Sequence, residues 1–219
     1  MNLPNKKFAS TLAITGGVTL TLQLSLTISH QVELGHSVLY GLFIYLGYFT
    51  ILTNILCVLV AASHSSKFAD SLSLAWLRKP WMVTTAATSI LNVGIQYHLL
   101  LSQKYNPIGL QYLANVSHHY ILPVLFVFFW WCSVPRGALH WQDLGRIVIY
   151  PISYFLYLII RGELTGLYPY FFFDVSQIGY TEALRNAAGI TLASSVTIFF
   201  MMTLKIKRKP SVLNIDAAP

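Results

Sequence analysis

Asn115-Val116-Ser117-His118-His119-Tyr120-Ile121-Leu122-Pro123 opens an apolar run that continues to about Val134, and it sets two adjacent imidazoles where a lipid-facing helix carries Leu or Val. Burying an ionisable ring at membrane depth is expensive, and such residues face an internal cavity or a partner. Pro123 adds a second irregularity: it has no N–H, so the carbonyl four positions earlier, on His119, loses its helical donor. The stretch reads as a membrane helix with a weak spot at His119.

The rest of the composition agrees with lipid as the solvent. Only 10% of the 219 residues are charged and 55% are hydrophobic, with a mean hydropathy of +0.60. Soluble domains carry about 25% charged residues. Lys and Arg outnumber Asp and Glu by 14 to 7, but they sit in short clusters between apolar runs. That is a membrane-orientation pattern and not a phosphate-binding face, so no nucleic-acid partner is expected. Cys57 and Cys132 lie within apolar runs without ligand spacing and read as packing residues.

Apolar runs fall at about 8–29, 39–62, 82–101, 111–134, 145–161 and 184–204. The first follows Lys6 and Lys7 like a signal peptide, but it is long enough to span and no small-residue cleavage site follows. The expectation is an all-α polytopic membrane protein of six transmembrane helices, one domain over 1–210 with a cytoplasmic tail at 211–219. With both termini cytoplasmic, eleven of the fourteen basic residues lie inside, and only Lys104, Arg161 and Arg185 lie outside. Residues 67–80 read as an interfacial connection. The aromatic segment 167–174 is too apolar and too broken by Pro169 to be a free linker, so it is expected to pack back as a lid or rim. Thr181 is the expected N-cap of the last helix, which ends in a basic cluster at 205–209 suited to anionic headgroups.

Polar residues inside the spans form stripes. Thr50, Thr53, Asn54 and Cys57 share one face of the second span, and Thr85, Thr88, Asn92 and Gln96 one face of the third. Such residues are ordinary glue between membrane helices. Asn92 and Gln96 are costlier, and lining a polar cavity competes as an explanation. Tyr150, Tyr154, Tyr157 and Arg161 make a third stripe. Arg161 either snorkels, pairs with Glu163, or holds an anionic group of a lipid. Counted at 1.5 Å per residue, Thr50 and His119 lie roughly 17 and 12 Å from the same membrane face. Asn92 and Gln96 fall in the same half, which implies one shared, partly wet cavity.

A hydroxyl beside a neutral imidazole is a nucleophile with its base. Thr50 with His119 suits acyl transfer or ester hydrolysis. Asn115, one turn before His119, is placed to orient the ring, and Asn54 or Asn92 to donate to an oxyanion. The chain has no Gly-x-Ser-x-Gly elbow, His-Glu-x-x-His, Walker loop or Rossmann glycine pattern. No metal or cofactor is therefore expected, and a haem site is disfavoured because no facing span supplies a second histidine pair in register. Non-catalytic binding or transport of a lipid or small amphiphile is the rival reading.

Gly-Tyr-Phe-Thr (47–50), His-Tyr-Ile-Leu-Pro (119–123) and Ile-Ile-Arg-Gly-Glu-Leu-Thr-Gly-Leu-Tyr-Pro-Tyr (159–170) resemble the family of androgen-induced protein and androgen-dependent TFPI-regulating protein, and more closely its bacterial six-pass branch. The resemblance implies an intramembrane threonine hydrolase that splits fatty acid esters of hydroxy fatty acids or related lipids. It implies a bacterial inner membrane location. It puts the threonine on Thr50. The histidine falls on His119 by the bacterial pattern and on His118 by the animal one, while Trp130-Trp131 stand where the bacterial pattern has Asp-Trp.

Overall fold

The computed structural model describes residues 6–65, 71 and 73–206, and among these the architecture is all-helical. Lys67, the cluster 207–209 and the tail 211–219 lie outside the described residues, as does most of the segment 66–72. Helix α1 runs Lys6–Glu33, α2 Val38–Tyr45, α3 Phe49–Ser63 and α4 Pro80–Gln96. Then come α5 Gly109–Val116, α6 Leu122–Ser133, α7 Asp143–Thr165 and α8 Val175–Lys205. Helices α5 and α6 join through a π turn, Ser117–Ile121, into one apolar rod.

Among the described residues four rods are long and apolar enough to cross a membrane: α1, α5–α6, α7 and α8; α2 and α3 make a fifth if counted as one bent span. Several such helices mark a multi-pass membrane protein. The expected continuous second span is in fact broken, with α2 and α3 meeting at 80° across Leu46-Gly47-Tyr48. The last helix also differs. It begins at Val175, where Asp174 accepts from the Ser176 N–H at 3.1 Å, and not at Thr181. An extended break at Gly179 (φ 74°) lies inside it.

Helix α4 is the centre. It packs on α3, α6, α7 and α8, and every residue from Val83 to Ile90 is buried. A helix surrounded by protein gains nothing from a lipid-like surface, which is why it is small and polar where α7 and α8 are large and apolar. Its threonines return their hydroxyls to carbonyls one turn back: Thr84 to Pro80 at 2.8 Å, Thr85 to Trp81 at 2.9 Å and Thr88 to Thr84 at 3.0 Å. Trp130 on α6 donates its indole N–H to Thr84 at 2.9 Å. Around this axis Val60, Ala61, Ile90, Phe126, Phe129, Ile147 and Met202 form the main apolar core.

The bend between α2 and α3 frees carbonyls that lipid cannot satisfy. The stripe on α7 supplies the donors. Arg161 Nη2 reaches the Phe43 carbonyl at 3.3 Å, Tyr157 that of Leu46 at 3.3 Å and Tyr154 that of Gly47 at 2.9 Å; Tyr150 meets the Thr53 hydroxyl at 3.2 Å. The guanidinium also stands 4.2 Å from the Phe43 ring centroid. It fits only because residue 47 is glycine, where a Cβ would lie 2.2 Å from Nη1. The tyrosine stripe is therefore the clamp that makes a sharp bend affordable at the head of α3.

Candidate functional site

The bend brings Thr50, in the first turn of α3, opposite the π turn of the fourth rod. Thr50 Oγ1 lies 3.4 Å from His119 Nε2. The other ring nitrogen, Nδ1, lies 2.9 Å from the Asn115 carbonyl. A carbonyl can only accept, so Nδ1 carries the proton and, in the neutral ring, Nε2 presents its lone pair to the threonine hydroxyl. This is the tautomer a general base needs. At 3.4 Å the contact is long for an O–H···N bond.

Asn115 orients the ring through its backbone, while its side chain does a second job. The carboxamide donates to the Tyr97 hydroxyl at 2.6 Å, and the Tyr97 ring is stacked on the imidazole with centroids 3.8 Å apart. Tyr97 was not singled out from the sequence; it begins the π turn Tyr97–Leu101 that extends α4. Facing it, the His119 carbonyl presses on Gly94, where a Cβ would lie 2.9 Å from the oxygen.

Thr50 opens on a cavity of about 90 Å³, lined among others by Asn92, Gln96, Tyr154 and Tyr170. At ~30 Å³ per water it holds about three waters or a small polar group, not an acyl chain. Gln96 is tied to the Ser194 hydroxyl at 3.3 Å, whereas the Asn92 amide, only 5% exposed, makes no protein hydrogen bond and faces the cavity. His119 itself borders a wider apolar groove of about 480 Å³ between α4 and α6, with Leu91, Ile95, Tyr120, Pro123 and Val124. His98 is on this groove too, its Nδ1 3.2 Å from the Tyr120 hydroxyl.

The remaining candidates lie elsewhere. Asn54 Nδ2 donates to the Thr50 carbonyl at 2.8 Å and its buried Oδ1 has no partner, so it braces the turn bearing Thr50 but does not line the cavity. His118 is turned away from Thr50 toward α1, buried, with neither ring nitrogen in a hydrogen bond of ordinary geometry, although the Thr19 backbone is close. Arg161 is not at the cavity either, being spent on the α2–α3 bend. Glu163 does not pair with it; the carboxylate accepts from the Tyr168 and Tyr180 hydroxyls at 3.0 and 2.9 Å. Desolvation, helped by that carboxylate, pushes the Tyr168 hydroxyl up to about 12.

The aromatic segment after α7 forms the roof. Phe171–Phe173 make a 3₁₀ turn with Phe173 buried against Phe155, and the Phe172 carbonyl accepts from Asn186 at 2.9 Å. From this roof Tyr170 reaches down, and its hydroxyl accepts the Phe49 N–H at 3.1 Å. The packing back of 167–174 is legible in its aromatic content; which ring meets Thr50 is not.

Among the described residues no group of three or more His, Cys, Asp or Glu side chains is arranged to hold a metal. Comparison of the chain with protein-family models, with curated proteins and with solved structures gives no match.

Proposed function

We propose that this protein is an intramembrane threonine hydrolase acting on carboxylic esters of lipids, with Thr50 as nucleophile and His119 as general base. The observation that carries the reading is the Thr50 Oγ1 to His119 Nε2 approach of 3.4 Å with Nδ1 committed to the Asn115 carbonyl. It is supported by the resemblance of segments 47–50, 119–123 and 159–170 to a family of such hydrolases. The setting supports the substrate class. The smaller cavity, lined in part by Thr50, Asn92 and Gln96, admits an ester group and a water, while the apolar groove that His119 borders suits an acyl chain entering sideways from the bilayer. Esters of hydroxy fatty acids or related lipids fit that division.

In the same reading the bent pair α2–α3 is one span and α4, with its π turn, is the sixth. Both termini face the cytoplasm of a bacterial cell, as the basic residues favour. A membrane-impermeant maleimide should then label a cysteine placed at Asn214 only after permeabilisation; labelling of intact cells overturns the orientation.

The deciding experiment is labelling of the purified protein by a fluorophosphonate probe alongside hydrolysis of a lipid ester. Wild type should label and turn over, and Thr50→Ala and His119→Ala should do neither. Label retained in Thr50→Ala removes the nucleophile. A wild type that binds the ester without cleaving it supports the binding or transport reading instead.

A further inference from the structure

We infer that Tyr170 is a catalytic residue of this hydrolysis, its hydroxyl donating to the oxyanion that forms when Thr50 attacks an ester. The inference rests on the Thr50–His119 reading above.

Helix α3 starts abruptly after the bend, and Tyr48 at its N-cap gives no side-chain cap. The Ile51 and Leu52 N–H groups return to the Tyr48 carbonyl at 3.1 and 3.2 Å. The Phe49 N–H is left to the Tyr170 hydroxyl, and the Thr50 N–H has no backbone acceptor. The Thr50 backbone and hydroxyl and the Tyr154 hydroxyl are further polar neighbours of that same phenol. The Tyr170 oxygen thus occupies the positive end of a 15-residue helix beside the nucleophile.

A phenol has one proton to give. With its oxygen accepting from Phe49, that proton is left for the Thr50 or Tyr154 oxygen beside it in the resting protein and for a stronger acceptor, an oxyanion, once one forms in the cavity. Accepting a bond makes the hydroxyl a stronger donor. The following roof residues, Phe171, Phe172 and Phe173, carry no polar side-chain atom, and Phe172 is stacked on Tyr170 at 5.2 Å. Within this run the hydroxyl appears at the one ring that meets the head of α3. An independent observation points to the same space: Asn92, more than nine-tenths buried, holds its amide unbonded into the cavity.

The step balances within these groups. The Thr50 hydroxyl proton passes to His119 Nε2 as Oγ1 bonds to the ester carbon, and the carbonyl π pair moves onto oxygen. Tyr170 O–H and the Asn92 amide hold that oxyanion. On collapse the C=O re-forms, the ester C–O bond breaks, and the leaving alkoxide takes the proton from His119. Water repeats the sequence, releasing the acid and returning the proton to Thr50. Tyr170 keeps its proton throughout.

The test compares wild type, Tyr170→Phe, Phe171→Leu and Tyr170 replaced by 3-fluorotyrosine, each full-length in lipid nanodiscs, with p-nitrophenyl octanoate and the fluorophosphonate probe. Loss of an oxyanion donor lowers kcat by about 10²–10³-fold. Tyr170→Phe should show that loss with KM and melting temperature nearly unchanged, while the 3-fluorotyrosine protein, which keeps the proton, and Phe171→Leu, at an exposed roof ring outside the cavity lining, stay active. Wild-type kcat in Tyr170→Phe, or equal losses in the phenylalanine and fluorotyrosine proteins, overturns the role of Tyr170 while leaving Thr50 in place. A wild type inert to both reagents overturns the hydrolase reading, and Tyr170 with it.

Discussion

The Tyr97 ring lies nearly parallel to the His119 imidazole, 16° between planes, and its hydroxyl receives the carboxamide proton of Asn115, whose own carbonyl faces His119 Nδ1. Three residues on two helices thus close a loop around one ring. The stack fixes the plane of the imidazole and the carbonyl fixes its tautomer, and neither requires a carboxylate in the membrane interior. This is an economical solution where a charge would be costly.

Removing the Tyr97 hydroxyl separates these functions. Tyr97→Phe keeps the stack but leaves the buried Asn115 amide without its acceptor, at a cost of about 1–3 kcal/mol. Tyr97→Leu also removes the flat surface. We expect kcat on the ester to fall a few-fold in Tyr97→Phe and further in Tyr97→Leu, with KM little changed. Equal kcat in the two variants would show that the stack does not hold the ring.

The fit of Arg161 against Gly47 makes a second, purely structural prediction. An alanine Cβ at 47 would meet Nη1 at 2.2 Å and Cζ at 2.7 Å. The guanidinium must then leave the Phe43 carbonyl, and overpacking of this kind costs about 1–3 kcal/mol. In an Arg161→Ala background the clash is absent, so Gly47→Ala should add little there. A thermal-melt double-mutant cycle measures the coupling, and additive losses would refute it.

Thr84 separates the packing side of α4 from its cavity side. Thr84→Val is close in shape but strands the Trp130 indole N–H, which is 1% exposed. Destabilisation of about 1–3 kcal/mol is expected, read as a lower melting temperature with kcat per folded molecule unchanged. A matching fall in kcat would mean that the α4–α6 contact reaches the site.

The long apolar helices were legible from hydropathy because lipid contact demands it, and depth counting put Thr50 and His119 near one level although 69 residues separate them. The break at Leu46-Gly47-Tyr48 was not legible. No proline marks it, and the donors that stabilise it come from α7, more than a hundred residues away. The same cause hid the true partner of Arg161, which spacing alone leaves equally free to snorkel, pair with Glu163 or bind a ligand. Tyr170 was hidden too, since a loop's return is a tertiary event. Thr181 misled as a cap because the polar first turn of α8, starting after Asp174, reads as loop by hydropathy.

Gly94 gives the sharpest test of how the proposed base, His119, is held. Pro123 cannot donate to the His119 carbonyl, and that carbonyl is turned against α4, where only a residue without a Cβ leaves it room; the added carbon of Gly94→Ala would sit 2.9 Å from the oxygen and 3.5 Å from the Pro123 Cβ. Both neighbours are backbone or ring atoms with little freedom to yield, so the π turn itself has to shift. Thr50 stays on α3, and the two halves of the pair move apart. A misplacement of about 1 Å costs on the order of 10²-fold in rate, so Gly94→Ala should lose kcat by roughly that factor while it still folds. The change should fall on catalysis more than on binding. Gly94→Ala with wild-type kcat would mean that the histidine is positioned by its stack on Tyr97 alone, independent of the carbonyl freed by Pro123.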